Sequence, residues 1–249
     1  MGSLPTLDAH AHVDARVAGS LDGCGVVLAQ TVSLEEADRS ISRRESNVCW
    51  GVGCHPRLAQ AQAAFDPGRY QELLALSPVA GEVGLDTGSR VSMTAQLATF
   101  RAVLREIATR PRILSIHSFP DPGPVLELLR EIPVVAPILH WWVGRADATT
   151  EAVELGCYFS VHSAVARRSI WRTRVPLDRI LVESDHGWRD PPDAIPLRIG
   201  WVEHLVAQSY GITPAEVRSA AWRNLARIVS LTGTRPLLRP GLLAFLPEA

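Results

Sequence analysis

The sequence predicts a closed (β/α)8 barrel folded as a single domain, and three observations carry that reading. Short apolar, β-branched runs alternate with longer helical patterns along the chain. Eight such runs fall within about 230 residues, the size of one barrel of this kind. No shift in composition, long linker or internal repeat divides the 249 residues, and 47% hydrophobic with 20% charged residues is the mix of an ordinary globular chain.

The runs come in order at residues 4–9, 25–31, 47–54, 79–83, 112–116, 134–139, 157–161 and 179–182. They are nearly continuous in apolar residues rather than alternating, as strands covered on both faces are, and the helical crossovers between them make the sheet parallel. Among the crossovers, Ser33 with Glu36 three residues on reads as a capping box, and Asp66-Pro67 and Asp121-Pro122 place proline in a first helical turn. Leu97, Phe100, Leu104 and Ile107 form one apolar helical stripe, and Val125, Leu128 and Leu129 another. After Leu197 two more helices are expected, with Ile212-Thr213-Pro214 as turn and cap. The barrel spans residues 1–232, and residues 233–249, rich in proline and leucine, form a C-terminal tail packed on it or used as an oligomer contact.

Composition excludes several chemistries. All 25 basic residues are arginine, so Schiff-base catalysis, pyridoxal phosphate chemistry, a phosphate loop ending in lysine and a metal pair bridged by carboxylated lysine are all ruled out. Against 26 acidic residues the net charge is −1, so a nucleic-acid partner must be held by local charge. Cys24, Cys49, Cys54 and Cys157 are scattered and read as free thiols of a reducing cytoplasm. No apolar run is long enough for a membrane span, and no signal peptide is expected. The first six residues fit a permissive myristoylation pattern but lead straight into a predicted buried strand.

Metal-ligand side chains collect where the predicted strands end. His10 and His12 follow the first strand, His55 the third, Glu82 the fourth, His117 the fifth, His140 the sixth and Asp185 the eighth. In a parallel barrel these ends share one face, the face on which barrel active sites form. His10 and His12, two apart on an extended chain, point to the same side. So many titratable groups brought together are costly to bury without a metal. Six candidate ligands exceed one tetrahedral ion and suit two divalent ions, zinc, manganese or magnesium, sharing a carboxylate. Without lysine, Glu82 is the natural bridge. The expected chemistry is metal-assisted hydrolysis.

Six separated motifs then match a known family in order and spacing. Leu7-Asp8-Ala9-His10-Ala11-His12-Val13-Asp14, Gly53-Cys54-His55-Pro56, Gly81-Glu82-Val83-Gly84-Leu85-Asp86, Ile116-His117-Ser118, Leu139-His140 and Leu181-Val182-Glu183-Ser184-Asp185 resemble the signatures of TatD-like metal-dependent deoxyribonucleases. Gln96, Phe100 and Asn224 add to the match, which runs from residue 4 to about 230. The resemblance implies an amidohydrolase-like TIM barrel that hydrolyses DNA phosphodiesters, often trimming single-stranded 3′ ends. His10, His12 and Asp185 would hold one ion, His117 and His140 the other, with Glu82 between them. Asp185 would also orient or deprotonate the attacking water, His55 would contact the scissile phosphate, and Glu183 would steer a histidine ligand. The string 113–118 with His140-Trp141 is similar to the branch associated with Qat anti-phage systems, which implies protein partners of a defence system.

The rim departs from the family. Phe119 stands where an arginine is common, Trp141-Trp142-Val143-Gly144 replaces a Cys-Phe-Ser-Gly, Asp185-His186-Gly187 replaces Asp-Ala-Pro, and His162 is an added histidine. Substrate contacts are therefore read from the residues themselves. His162 points to the same side as Ser160 and is a candidate phosphate donor or acid. One of Trp141, Trp142 and Trp188 is expected to stack a base, while Trp50, Trp171, Trp201 and Trp222 pack in the core or on helices. Arg145, Arg167 and Arg189 are candidate phosphate forks, and His186 and His204 read as loop and surface residues. Two other functions fit the same ligand set: hydrolysis of a small cyclic amide, lactone or phosphoester, and a metal-caged, non-catalytic DNA-binding subunit.

Overall fold

The computed structural model describes residues 4–13, 25–187 and 199–246. Eight parallel strands, β1 (Leu7–Ala11), β2 (Val26–Ala29), β3 (Val48–Val52), β4 (Val79–Asp86), β5 (Ile113–Phe119), β6 (Ile138–His140), β7 (Tyr158–Val161) and β8 (Ile180–Val182), pair in sequence order. The helices are α1 (Leu34–Ser40), α2 (Ala59–Ala63), α3 (Pro67–Leu74), α4 (Met93–Thr109), α5 (Gly123–Glu131), α6 (Ala146–Glu154), α7 (Ile170–Arg174), α8 (Ile199–Tyr210), α9 (Pro214–Thr232) and α10 (Pro240–Leu243). This is the predicted (β/α)8 TIM barrel.

The seam between β8 and β1 is closed just past the regular strands. The Asp185 N–H donates to His10 O (3.0 Å) and the His12 N–H to His186 O (2.6 Å). Asp8, fully buried, ties the same seam from inside, taking the His10 and Ser184 N–H groups on Oδ1 (3.2 and 3.1 Å) and the Ser184 hydroxyl on Oδ2 (2.5 Å). The chain can approach so closely because residue 187 is glycine: it sits at φ +88°, and a Cβ there would lie 1.8 Å from His12 O.

Three strands run at least two residues further than the apolar pattern indicates: β1 reaches Ala11, so His10 lies inside it rather than after it, and β4 and β5 are longer still. The β4–β5 pairing continues through Gly84↔His117 and Asp86↔Phe119, so Glu82 and His117 lie inside strands rather than at their ends. A Cβ at Gly84 would meet His117 O at 2.1 Å, and its absence permits the extra pairing. The sixth strand is shorter than expected because Ala136 takes φ +50°, which interrupts the extended chain before Pro137.

The helix signals resolve individually. Thr213 and Glu216 form a reciprocal capping box on α9, and Asp66 caps α3 through the Arg69 N–H (2.6 Å). Ser33 caps α1, but Glu36 reaches the Val32 N–H (2.7 Å) rather than the cap's own, so the expected box is half made. Pro122 is itself the N-cap of α5, one residue earlier than expected, with Asp121 Oδ1 taking the Gly123 N–H (3.0 Å).

Between barrel and helices, Val83, Leu85 and Ile116 pack with Phe100, Leu104, Ile107 and Leu126. At the N-terminal end of the barrel, Leu238, Leu242 and Leu246, from beyond α9, pack with Ile113, Ile138, Tyr158 and Leu181 of the strands. Cys49, Cys54 and Cys157 are free and buried, and burial pushes the Cys54 and Cys157 thiols up to about 12, while Cys24 lies outside the described residues. Trp50, Trp171 and Trp222 are buried as expected. Trp201 corrects its packing assignment: it is 53% exposed on α8 and stacks on His204, one turn along. Among the described residues no helix is long and apolar enough to cross a membrane.

Candidate functional site

All six predicted ligands converge at the C-terminal end of the strands, with Glu82 at the centre. Its two carboxylate oxygens face two different groups of histidines. Oε2 lies 2.9 Å from His12 Nε2 and 3.5 Å from His10 Nε2. Oε1 lies 2.6 Å from His117 Nδ1, 2.8 Å from His140 Nε2 and 3.4 Å from His55 Nε2. Asp185 Oδ1 closes the first group at 3.6 Å from His12 Nε2 and 3.7 Å from His10 Nε2. Every one of these side chains is buried.

Three histidines have a polar partner behind them, hydrogen-bonded to His10 and His117 and near His140. His10 Nδ1 meets Ser115 Oγ at 2.8 Å, His117 Nε2 meets Asp86 Oδ2 at 3.0 Å, and His140 Nδ1 lies 3.5 Å from Glu183 Oε1. Glu183 is held in turn by the Ser160 hydroxyl and by the Trp141 N–H (2.8 Å). The Asp86 carboxylate is anchored by the Gly88 N–H (2.9 Å), with Arg57 3.7 Å away. Outer partners of this kind choose the tautomer and aim the ring. Ser115, Asp86, Arg57 and the Asp8–Ser184 clasp escape the apolar-run reading. Yet Asp8 and His10, Ser115 and His117, and Glu82, Gly84 and Asp86 each sit two apart on one strand, a spacing that places them on one face.

The chemistry of this donor set calls for cations. With its Nε2 proton on Asp86, His117 turns a lone pair toward Glu82 Oε1 at 2.6 Å, an approach that needs a proton or a metal between. His10 and His12 bring their Nε2 atoms to 3.4 Å, and His117 and His140 bring ring nitrogens to 3.3 Å. Asp185 Oδ1 is buried and accepts no hydrogen bond. Three overlapping triads, His10–His12–Glu82, His10–His140–Asp185 and His55–Glu82–His117, have donor atoms within 4.8 Å of one another. The residues fit divalent ions, and His55 stands closer to the ligand cluster than a phosphate contact alone requires.

Electrostatics agree. Burial pushes the Asp185 carboxyl up to about 7 even beside His140 and His12, so the site is short of positive charge there. Burial and the neighbouring His140 push His10 down to about 3. Burial opposes ionisation of Glu82 as well, but the surrounding imidazoles, His55 and His140 foremost, hold it well below the carboxylate range. His140 is raised well above the ordinary imidazole value, because Glu82 and Glu183 outweigh its burial.

A pocket of about 170 Å³ opens over this cluster, lined by His55, Arg57, Glu82, His117, Ser118, Phe119, His140, Trp141 and Asp185. Of the expected substrate contacts, His55 and Trp141 line it. His162 stands outside the lining and stacks on Trp141, with ring centroids 4.0 Å apart. Arg145 is exposed at the start of α6 and Arg167 is exposed beyond β7, and neither lines the pocket. Arg189 and Trp188 lie outside the described residues. Trp142 is fully buried and donates to Thr149 Oγ1 (2.8 Å), which makes it a packing residue. Arg168 is bonded to the Trp142 and Gly144 carbonyls (3.1 and 2.8 Å) and so holds the turn after β6. His186 is buried in the seam with its N–H on Ser184 Oγ (3.1 Å), and His204 bonds Gln208 along α8 (3.1 Å).

Known proteins give the same picture. The structure superposes on YjjV, a TatD homolog from Escherichia coli K12, with a TM-score of 0.78 over 90% of this chain and 98% of that one, at 17% identity, a likeness of fold. The 3'-5' ssDNA/RNA exonuclease TatD of Cronobacter sakazakii is 27% identical over 228 residues, 83% of this chain and 87% of that protein. Deoxyribonuclease TATDN3 of Homo sapiens is 30% identical over 159 residues, 59% of this chain. The chain spans little more than half the length of the mammalian relatives it matches, 58% of the human and 54% of the mouse protein. Residues 7–230 match the family described as TatD related DNase, and the chain belongs to that family.

Proposed function

We propose that this protein is a two-metal phosphodiesterase that shortens DNA from single-stranded 3′ ends. The observation that carries the reading is the divided Glu82 carboxylate, with Oε2 toward His10 and His12 and Oε1 toward His117 and His140. His10, His12 and Asp185 would hold one divalent ion, His117 and His140 the second, and Glu82 would serve both. Bound there, zinc, manganese or magnesium would lower the pKa of water and polarise a phosphoryl oxygen. Asp185, which closes the His10–His12 group through Oδ1, would also orient or deprotonate the attacking water. His55, on the pocket wall, would donate from Nε2 to a phosphoryl oxygen, while Glu183 and Asp86 keep His140 and His117 aimed.

The test is an assay on 3′-labelled single-stranded DNA with Mg²⁺, Mn²⁺ or Zn²⁺, beside Glu82→Gln and Asp185→Asn. Metal-dependent shortening that both variants lose is the expected result. No hydrolysis with any of the metals by a protein that binds two ions overturns the DNA reading in favour of a small cyclic amide, lactone or phosphoester. That second reading draws support from the modest size of the pocket. DNA binding without cleavage, unchanged in both variants, would instead make it a binding subunit. Elemental analysis that finds no divalent ion overturns every metal reading together.

The strings at 113–118 and 140–141 support a role in anti-phage defence with protein partners, and the free buried cysteines support a reducing cytoplasm. Plaque counts on cells carrying the intact system or its Glu82→Gln form check the first, with protection expected only from the intact form.

A further inference from the structure

We propose that Trp141, backed by His162, and Phe119 form a subsite for one flat aromatic ring. Resting on the phosphodiesterase reading, that ring is the unstacked base of the terminal nucleotide. The pocket has a divided character: Glu82, His140 and Asp185 line it in the metal-ligand layer, whereas Trp141 and Phe119 supply aromatic wall. Both rings are placed by the ligand strands themselves. Trp141 follows His140 directly, and Phe119 stands two residues beyond His117 on β5, on the same face and about 6.6 Å further along the strand. That offset is on the scale of the sugar that separates a phosphate from its base.

The indole is fixed before any ligand arrives. Trp141 sits at φ +41°, a conformation few non-glycine residues adopt, and Glu183 Oε1 takes its N–H at 2.8 Å. One carboxylate therefore faces His140 and fixes the backbone of the stacking residue, tying ring position to the metal layer. His162 lies nearly parallel to the indole, with planes 28° apart, and its Nδ1 accepts the Ala164 N–H (3.2 Å). A half-buried indole held against an imidazole loses little freedom when a base arrives. Phe119 is 44% exposed at the mouth of a pocket otherwise rich in charge, and a stacked base would cover it. Arg57, also in the lining with its side chain 39% exposed, is within reach of a phosphate at the same mouth. A base already stacked in a duplex cannot enter, so the subsite selects single strands and frayed ends.

Calorimetric titration of the metal-loaded protein with deoxyadenosine 5′-monophosphate and with 2-deoxyribose 5-phosphate tests this without turnover. The nucleotide is expected to bind about tenfold to a hundredfold tighter than the base-free sugar phosphate. Trp141→Ala should abolish that preference and Trp141→Phe keep most of it, each leaving sugar-phosphate affinity unchanged. Phe119→Ala, at a position 44% exposed, should weaken the nucleotide alone. Equal affinity of the wild type for both ligands, or variants that weaken both alike, would overturn the subsite. Preferential nucleotide binding by a protein that leaves labelled DNA intact would uphold the subsite and overturn the DNA reading. Hydrolysis without the preference would do the reverse.

Discussion

At the N-terminal ends of their strands, Ile113, Ile138, Tyr158 and Leu181 pack against Ala221, Leu225 and Leu242 in one apolar cluster. Two residues further along the same four strands stand Ser115, His140, Ser160 and Glu183, all buried and all polar. The change occurs within one strand period, so the barrel carries a dry floor and a titratable ceiling on the same backbone. The floor gains free energy from every apolar side chain it removes from water. The ceiling buries carboxylates and imidazoles that satisfy one another only in part, leaving Asp185 Oδ1 without a donor. Stability and reactivity are thus stacked in layers, and the layers should respond separately to perturbation.

Glu82→Gln gives the largest effect. The change keeps side-chain size but removes the charge that faces five imidazoles, and hydrolysis should fall on the order of a thousandfold. Thermal melts give a second readout: added divalent metal should raise the wild-type midpoint, by about 2.7 kcal/mol of stability at a hundred times the dissociation constant, and leave the variant unmoved. A variant that the metal still stabilises fully would mean that Glu82 does not hold the ions.

Leu242→Ala probes the floor. Leu242 is fully buried beneath the strands, and its truncation should cost roughly 2–5 kcal/mol in chemical denaturation. Metal affinity and turnover of the folded fraction should not change. If they fall with stability, the two ends are coupled and the layered description fails.

What the sequence made legible follows the same division. The apolar runs located all eight strands, because floor and outer faces are a matter of hydrophobic continuity, and the strand-end histidines and acids located the ceiling. Less legible were interactions that depend on backbone register. Asp86 and Ser115 look like ordinary polar residues until β4 and β5 pair as far as Asp86↔Phe119, an extension that Gly84 permits. The rim was read least well, since Arg145 and Arg167, read as phosphate forks, stand outside the pocket lining, while Trp201, read as packing, stands exposed. Whether an aromatic or arginine side chain braces a loop or faces a ligand is decided by tertiary contacts, and local pattern does not encode them.

Ser115→Ala and Asp86→Asn sharpen the ceiling from behind. Neither residue belongs to the predicted ligand set, yet Ser115 Oγ meets His10 Nδ1 at 2.8 Å and Asp86 Oδ2 meets His117 Nε2 at 3.0 Å. Each change should weaken metal affinity about tenfold to a hundredfold, measured by competition with a chelating dye. The denaturation midpoint of the metal-free protein should move far less than in Leu242→Ala. Unchanged affinity in both would mean that the histidine rings need no support from the second row of partners.

The smallest effect tests whether the frame outside the barrel matters to either layer. Thr213 caps α9, exchanging hydrogen bonds with Glu216, and α9 carries Ala221, Trp222, Leu225, Ile228 and Val229 into the floor cluster. Thr213→Ala removes a solvent-exposed cap and leaves that packed face in place, so it should cost about 1 kcal/mol in denaturant. Because α9 reaches the ceiling only through strands already fixed by the floor, metal affinity should stay at the wild-type value. A loss of affinity from so remote a cap would show that α9 sets the register of β1 and β8, and with it the spacing of His10, His12 and Asp185.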